Sequence, residues 1–208
     1  MKNIILICFL LLSKGLFAQS DSTVYLDNND NPITKDDFLK ASQKAELVVK
    51  NDSLDIFKII SQRSVTGQIS NFEEIFSAIT TTYPELVLDK SKPLVIQFYP
   101  GKDTCNSTGS ASRSFSKKWY SDLEKNIYKI AETKPIYIYR KEDGLEKYDG
   151  IITWHKDPKN IIEKNFFKFH YPCSSYVIIM PNGKFISYYG EFSNESVWED
   201  LKKIMKTK

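Results

Sequence analysis

The stretch Pro93-Leu94-Val95-Ile96-Gln97-Phe98-Tyr99-Pro100-Gly101-Lys102-Asp103-Thr104-Cys105-Asn106-Ser107 decides how this chain is read. An apolar run from Leu94 to Tyr99, interrupted only by Gln97, ends in a Pro-Gly turn. Such a run, bounded by turn residues, predicts a strand covered on both faces. A polar segment carrying Cys105 then leads into Phe115, Trp119, Leu123, Ile127 and Ala131, one apolar residue every fourth position. That spacing predicts a helix over about 107–131, with Asn106 and Ser107 able to cap it. Cys105 is thereby placed at or just before the positive end of a helix dipole, where a thiol ionises more readily. The competing reading makes it one half of a structural disulfide.

Downstream, the pattern predicts a strand at Ile136 to Arg140 and a helix over about 158–169, opened by Asp157 as N-cap and Pro158 at N1. Strands at Tyr176 to Met180 and Phe185 to Tyr189 follow, joined by the turn Pro181-Asn182-Gly183-Lys184, and a last helix covers about 195–206. This order over roughly the last 120 residues resembles the thioredoxin-like fold. The resemblance implies an α/β domain at 91–208 with a central mixed sheet and helices on both faces. Leu94 to Tyr99 would be an inner strand between Ile136 to Arg140 and Tyr176 to Met180, covered by the helices carrying Trp119 and Leu201.

The resemblance breaks down at its active-site positions. Thioredoxins carry Cys-x-x-Cys, and here Cys105-Asn106-Ser107-Thr108 has Thr108 at the second cysteine's place. Their cis-proline position falls on Ser174, with Pro172 two residues early. Phe98-Tyr99-Pro100-Gly101-Lys102-Asp103-Thr104 also resembles the Phe-Tyr-Pro-x-x-x-Thr lead-in of peroxiredoxins, but Ser107 occupies the peroxidatic position and Ser174 that of their arginine. Without that cation a developing oxyanion has no partner, which argues against a standard peroxidase. In a thioredoxin-like fold the loop before the third strand meets the start of the first helix. The resemblance therefore implies that Cys105 and Cys173 are neighbours, with Cα atoms within about 7 Å.

Working upstream, Met1 to Ala18 has the charged start, short apolar core and small-residue exit of a signal peptide, with cleavage after Ala18. Its Phe-Ala-Gln exit resembles that of exported Bacteroidota proteins. The apolar run is too short to span a bilayer, and no later run is long enough for a transmembrane anchor. Residues 19–90 read as a small N-terminal α+β extension. It holds a short strand at Val24-Tyr25-Leu26, a helix capped by Thr34 and carrying Phe38 and Leu39, and a hairpin from Ala45 to Ile60 closed by Thr66-Gly67-Gln68. A helix marked by Phe72, Ile75, Phe76 and Ile79 ends it, and the extension is expected to pack on the main domain. Asp52-Ser53-Leu54 resembles a Bacteroidota O-glycosylation acceptor, with a plain solvated turn as the simpler account.

The formal net charge of +3 falls to about +1 once the leader with Lys2 and Lys14 is removed. That leaves no footprint for nucleic acid and no polybasic membrane patch. Of three cysteines, Cys8 lies in the leader, so an exported chain keeps Cys105 and Cys173, an even count that invites one disulfide. His170-x-x-Cys173 opens a further possibility, since copper chaperones of thioredoxin-like fold use cysteines with a histidine, so Cys105, Cys173 and His170 form a candidate soft-metal set. No organic cofactor motif is present in the sequence. The favoured expectation is an exported protein in a non-catalytic or interaction role, with a structural Cys105–Cys173 disulfide and an unknown protein partner. The alternative is a periplasmic thiol–disulfide oxidoreductase acting on a thiol or disulfide substrate through an atypical cysteine pair.

Overall fold

Strand alternation and helix amphipathicity settle into two sheets in the computed structural model, which describes residues 23–51, 54–107 and 111–206. The expected leader, and Asp52 and Ser53 of the acceptor-like tripeptide, lie outside the described residues. The smaller sheet is made of β1 (Val24–Leu26), β2 (Pro32–Ile33), β3 (Leu47–Lys50) and β4 (Ile56–Ile60), in the order β2-β1-β4-β3. Helix α1 (Lys35–Ser42) packs on it, its N-terminus capped by Thr34, which accepts from the Asp37 N–H at 3.1 Å. Phe38 is buried against Tyr25 and Phe57, whereas Leu39 points to solvent. The expected hairpin is formed by β3 and β4, paired antiparallel from Leu47↔Ile60 to Lys50↔Phe57.

The larger sheet holds β5 (Ser64–Gln68), β6 (Leu94–Tyr99), β7 (Ile136–Tyr139), β8 (Trp154–Lys156), β9 (Ser175–Ile179) and β10 (Lys184–Tyr188), ordered β5-β10-β9-β6-β7-β8. β6 is buried along its whole length, parallel to β7 and antiparallel to β9. The order β10-β9-β6-β7, with helices following β6, β7 and β10, is the thioredoxin-like arrangement, and the α/β class with a mixed sheet stands. The helices are α2 (Phe72–Thr82), the single turn α3 (Thr104–Ser107), α4 (Arg113–Ala131), α5 (Ile161–Phe166) and α6 (Asn194–Lys206).

The layers differ from expectation in one respect. The helices carrying Trp119 and Leu201, α4 and α6, lie side by side on one face, where Leu123, Ile127, Val197 and Leu201 pack with Val95 and Ile178. The opposite face, with Leu94, Ile96, Phe98, Ile136 and Ile138, is covered by Phe72, Ile75 and Ile79 of α2 and by Ile161, Ile162 and Phe166 of α5. Period-2 alternation requires cover on both sides of β6. Helical periodicity, however, identifies an apolar stripe without saying which face receives it.

Two elements from the stretch read as an extension thus belong to the main layers: α2 covers a face, and β5 extends the sheet by pairing with β10 from Lys184↔Gln68 to Tyr188↔Ser64. Every residue of β5 is exposed, so it carries no apolar alternation to read, and Thr66-Gly67-Gln68 is edge strand rather than hairpin closure. Gly183 makes the turn that holds this edge: its φ is +84°, and a Cβ there would sit 2.1 Å from the Ile69 carbonyl oxygen. The short β8, with its Trp-His-Lys sequence, has no periodicity long enough to read. The helix expected over 158–169 is confined to α5, preceded by a 3-10 turn at Pro158–Asn160 in which Lys159 and Asn160 take positive φ. Asp157 caps across that turn, accepting from the N–H groups of Ile162 and Glu163 at 3.0 and 2.8 Å.

The small sheet rests on the segment that leads into β9. Val49 and Ile60 join the core containing Phe167 and Tyr171. The Asn51 amide donates to the Lys168 carbonyl at 3.4 Å, and the Tyr189 N–H to the Arg63 carbonyl at 3.0 Å.

Candidate functional site

At the C-terminal end of β6 the chain turns through Pro100 and Gly101, and Asp103 precedes the single turn α3 that contains Cys105. Helix α4 starts separately, capped by Ser112, whose hydroxyl accepts from the Phe115 N–H at 3.2 Å. The expected caps Asn106 and Ser107 therefore belong to α3, and Cys105 does not head the long helix. A turn of four residues sums few peptide dipoles, so the argument for an acidified thiol from a helix N-terminus loses its basis.

Cys173 lies in the loop before β9 with φ +66°, and it is joined to Cys105 by a disulfide with a Cα–Cα distance of 5.1 Å. The expected proximity of the pair is met. The two segments are also tied by hydrogen bonds that involve no sulfur. The Asp103 carboxylate accepts from the Cys173 N–H at 2.9 Å and lies 3.1 Å from His170 Nε2, while its other oxygen accepts from the Asn106 N–H at 2.8 Å. Asn106 Nδ2 donates to the carbonyls of Gly101 and Cys173 at 2.9 and 3.1 Å, and its Oδ1 accepts from the Asp103 N–H at 3.0 Å. Lys147 donates to the Asn106 carbonyl, and burial pulls its pKa below the usual lysine value.

Both cysteines line a pocket of about 270 Å³. Phe115, Trp119, Tyr148, Trp154 and Phe192 border it. Phe115, first residue of the predicted apolar stripe, is 59% exposed, while Leu123, Ile127 and Ala131 further along α4 are buried. Gln97, 5% exposed, also lines the pocket, and its Nε2 donates to the Ser174 hydroxyl at 3.2 Å. Tyr99 donates to the Asp143 carbonyl at 2.9 Å, and burial holds its phenol well above the usual range.

The structure brings Cys105, Cys173 and His170 into one region, but His170 Nε2 is directed at Asp103. Among the described residues, the ligand atoms that converge within 4.8 Å are those of Cys105, Cys173 and Glu191. The sulfurs could serve a soft ion only after reduction of the disulfide. His155 lies elsewhere, in β8 beside Tyr83. Ser107, at the peroxidatic place of the peroxiredoxin-like lead-in, donates its hydroxyl to the Asp103 carbonyl, and Ser174 is engaged with Gln97. Sequence reasoning missed Gln97, Asp103, Tyr148, Glu191 and Phe192, and it read Asn106 as a helix cap rather than as a tie to the Cys173 loop. Of these, Gln97 had a visible signal, being the one polar residue in an otherwise apolar strand.

No protein-family model matches this sequence, and no curated protein does. Among solved structures, one described as giving insights into the alkyl peroxide reduction activity of Xanthomonas campestris bacterioferritin comigratory protein is similar, at 17% identity and a TM-score of 0.34. The similarity covers 55% of this chain and 80% of that one. The fold assignment rests on the strand order and pairing given above.

Proposed function

We propose that this chain is an exported thiol–disulfide exchange protein working through Cys105 and Cys173. The observation that carries this is the location of the disulfide: it opens onto a pocket beside solvent, where a partner thiol can reach it. The bonds from Asp103 and Asn106 to the Cys173 backbone support the same reading, because they hold the two segments together when the S–S bond is open. A thiol pair kept close in this way can re-form its bond.

In the proposed step a partner thiolate attacks Cys105 Sγ, forming a mixed disulfide, and the electron pair of the broken S–S bond leaves on Cys173 Sγ, which takes a proton from water. The partner's second thiolate then attacks its own sulfur and releases Cys105 as a thiolate, which is also protonated. Two electrons and two protons pass to the protein, and the partner leaves as a disulfide. The reverse sequence oxidises a dithiol pair in this protein and reduces the partner's disulfide. An oxidising compartment suits the pair, and the expected leader supports export, which N-terminal sequencing of the exported protein at Gln19 would test.

The test is the pair's reduction potential combined with trapping. A potential well above about −300 mV is expected, and the reduced Cys173→Ser variant, given a peptide closed by its own disulfide, should accumulate a mixed disulfide at Cys105 as the Cys105 thiolate attacks that bond and the peptide's other sulfur leaves as a thiol. A potential below about −300 mV with no trapped adduct would return the protein to the structural-disulfide reading. In that case Cys105→Ser should cost about 2–5 kcal/mol of stability with no exchange activity to lose.

A further inference from the structure

The turn after β10 carries a carboxylate to the disulfide. Gly190 makes that turn with φ +80°, and its missing side chain lets the turn lie close to Leu47 and Pro172, which a Cβ would meet at 3.3 and 3.4 Å. The Gly190 N–H donates to the Ser175 hydroxyl at 3.0 Å, and the Glu191 carbonyl accepts from Arg63 at 3.3 Å, so the backbone is fixed on both sides. Glu191 is thereby set beside the loop that holds Cys173. A carboxylate oxygen of Glu191 and the two sulfurs lie within 4.8 Å of one another, and all three residues line the same pocket. That carboxylate has no protein partner among the described residues. His170, by contrast, is turned to Asp103.

We propose that Cys105, Cys173 and Glu191 form a zinc site in the reduced protein, with two thiolates and a carboxylate as ligands and a water in the fourth position. The inference goes beyond exchange and rests on it only for how the pair becomes reduced. Two electrons and two protons from a partner dithiol open the S–S bond, and the dithiol leaves as a disulfide. Zn²⁺ then takes the place of the two thiol protons, which pass to solvent. Tetrahedral Zn²⁺, bonded at about 2.3 Å to sulfur and about 2.0 Å to oxygen, holds its ligand atoms about 3.5–3.8 Å apart. Side-chain rotations reach that spacing from atoms already within 4.8 Å. The bonds of Asp103 and Asn106 to the Cys173 backbone keep the two segments together once the S–S bond is open. Two thiolates alone would suit Cu(I), whereas the added carboxylate oxygen turns the set toward a divalent ion that takes both sulfur and oxygen. Three anionic ligands leave one negative charge in excess, and the Lys147 side chain, which also lines the pocket, stands near to offset it.

The experiment titrates Zn²⁺, in competition with a chromogenic chelator, into the full chain carrying Cys8→Ser, which leaves Cys105 and Cys173 as its only cysteines. The chain is first reduced with a phosphine and desalted without air, and Co²⁺ serves as a spectroscopic probe of the same site. Because reduction is chemical, the titration does not depend on exchange, which trapping with Cys173→Ser tests separately. The reduced protein should bind one ion per chain, and Co²⁺ should give thiolate charge-transfer absorption that the oxidised protein lacks. Glu191→Gln, at an exposed position, should weaken Zn²⁺ binding more than about tenfold and leave the melting temperature of the oxidised protein unchanged. His170→Gln should bind as the parent does. No uptake by the reduced protein, uptake without thiolate absorption, or an affinity that survives Glu191→Gln would overturn the proposal. Binding lost in His170→Gln and kept in Glu191→Gln would overturn it in favour of the histidine.

Discussion

At the scale of single residues, Asn106 joins the parts of the site. Its side chain bonds Gly101, Asp103 and Cys173, so it ties the turn after β6, the single turn α3 and the loop before β9 together. Asn106→Ala leaves the Gly101 and Cys173 carbonyls and the Asp103 N–H short of a partner in a half-buried place. Water can reach some of them, so the expected loss is about 2 kcal/mol, read from urea unfolding of the oxidised protein. The same substitution should slow closure of the reduced pair, since the two segments would no longer be held together in the absence of the S–S bond. Unchanged stability would show that the carbonyls are satisfied by solvent.

At the scale of elements, the cap of α5 carries a pH dependence. Asp157 is 3% exposed, and burial pushes its carboxyl up to about 6, against the pull of the backbone N–H groups it caps. A folded value above the ordinary 3.8 means that the native state holds the proton more tightly than the unfolded chain does. The resulting stabilisation is fully present below about pH 4 and is lost as pH rises through about 6, amounting to at most about 3 kcal/mol. Asp157→Asn keeps a capping oxygen and removes the titration. Its unfolding free energy should accordingly vary less between pH 4 and pH 7 than that of the parent, measured by denaturant titration at each pH.

At the scale of the molecule, one face of the large sheet depends on a helix from outside the last 120 residues. A fragment of residues 91–208 lacks α2, and therefore Phe72, Ile75 and Ile79, which cover Ile96 and Phe98. Three buried side chains at about 1.5–3 kcal/mol each approach the whole stability of an ordinary domain. The fragment is expected to show no cooperative thermal transition. A fragment of residues 62–208 keeps β5 and α2 and loses the cover that Leu47, Val49 and Ile60 supply together with the Asn51 bond to Lys168, so it should unfold cooperatively at a lower temperature. Cooperative melting of residues 91–208 would show that α5 alone can protect that face.

The chain's local chemistry determined the inner strand Leu94 to Tyr99, the amphipathic run of α4, the Asp157 and Thr34 caps and the glycine turn at Gly183, because each depends on residues a few positions apart. The element order also placed Cys105 beside Cys173, since the start after β6 and the loop before β9 meet at one end of the sheet. Tertiary structure alone decided that α4 and α6 share a face, that α2 covers the other, and that an exposed polar strand such as β5 joins the sheet edge. These are choices among partners far apart in sequence, and an apolar stripe or a bare edge is compatible with several of them. The pocket was decided at the same level: Gln97, Phe115, Tyr148, Trp154 and Phe192 come from separate elements. That Gln97 Oε1 finds no partner among the described residues is likewise decided by neighbours from separate elements.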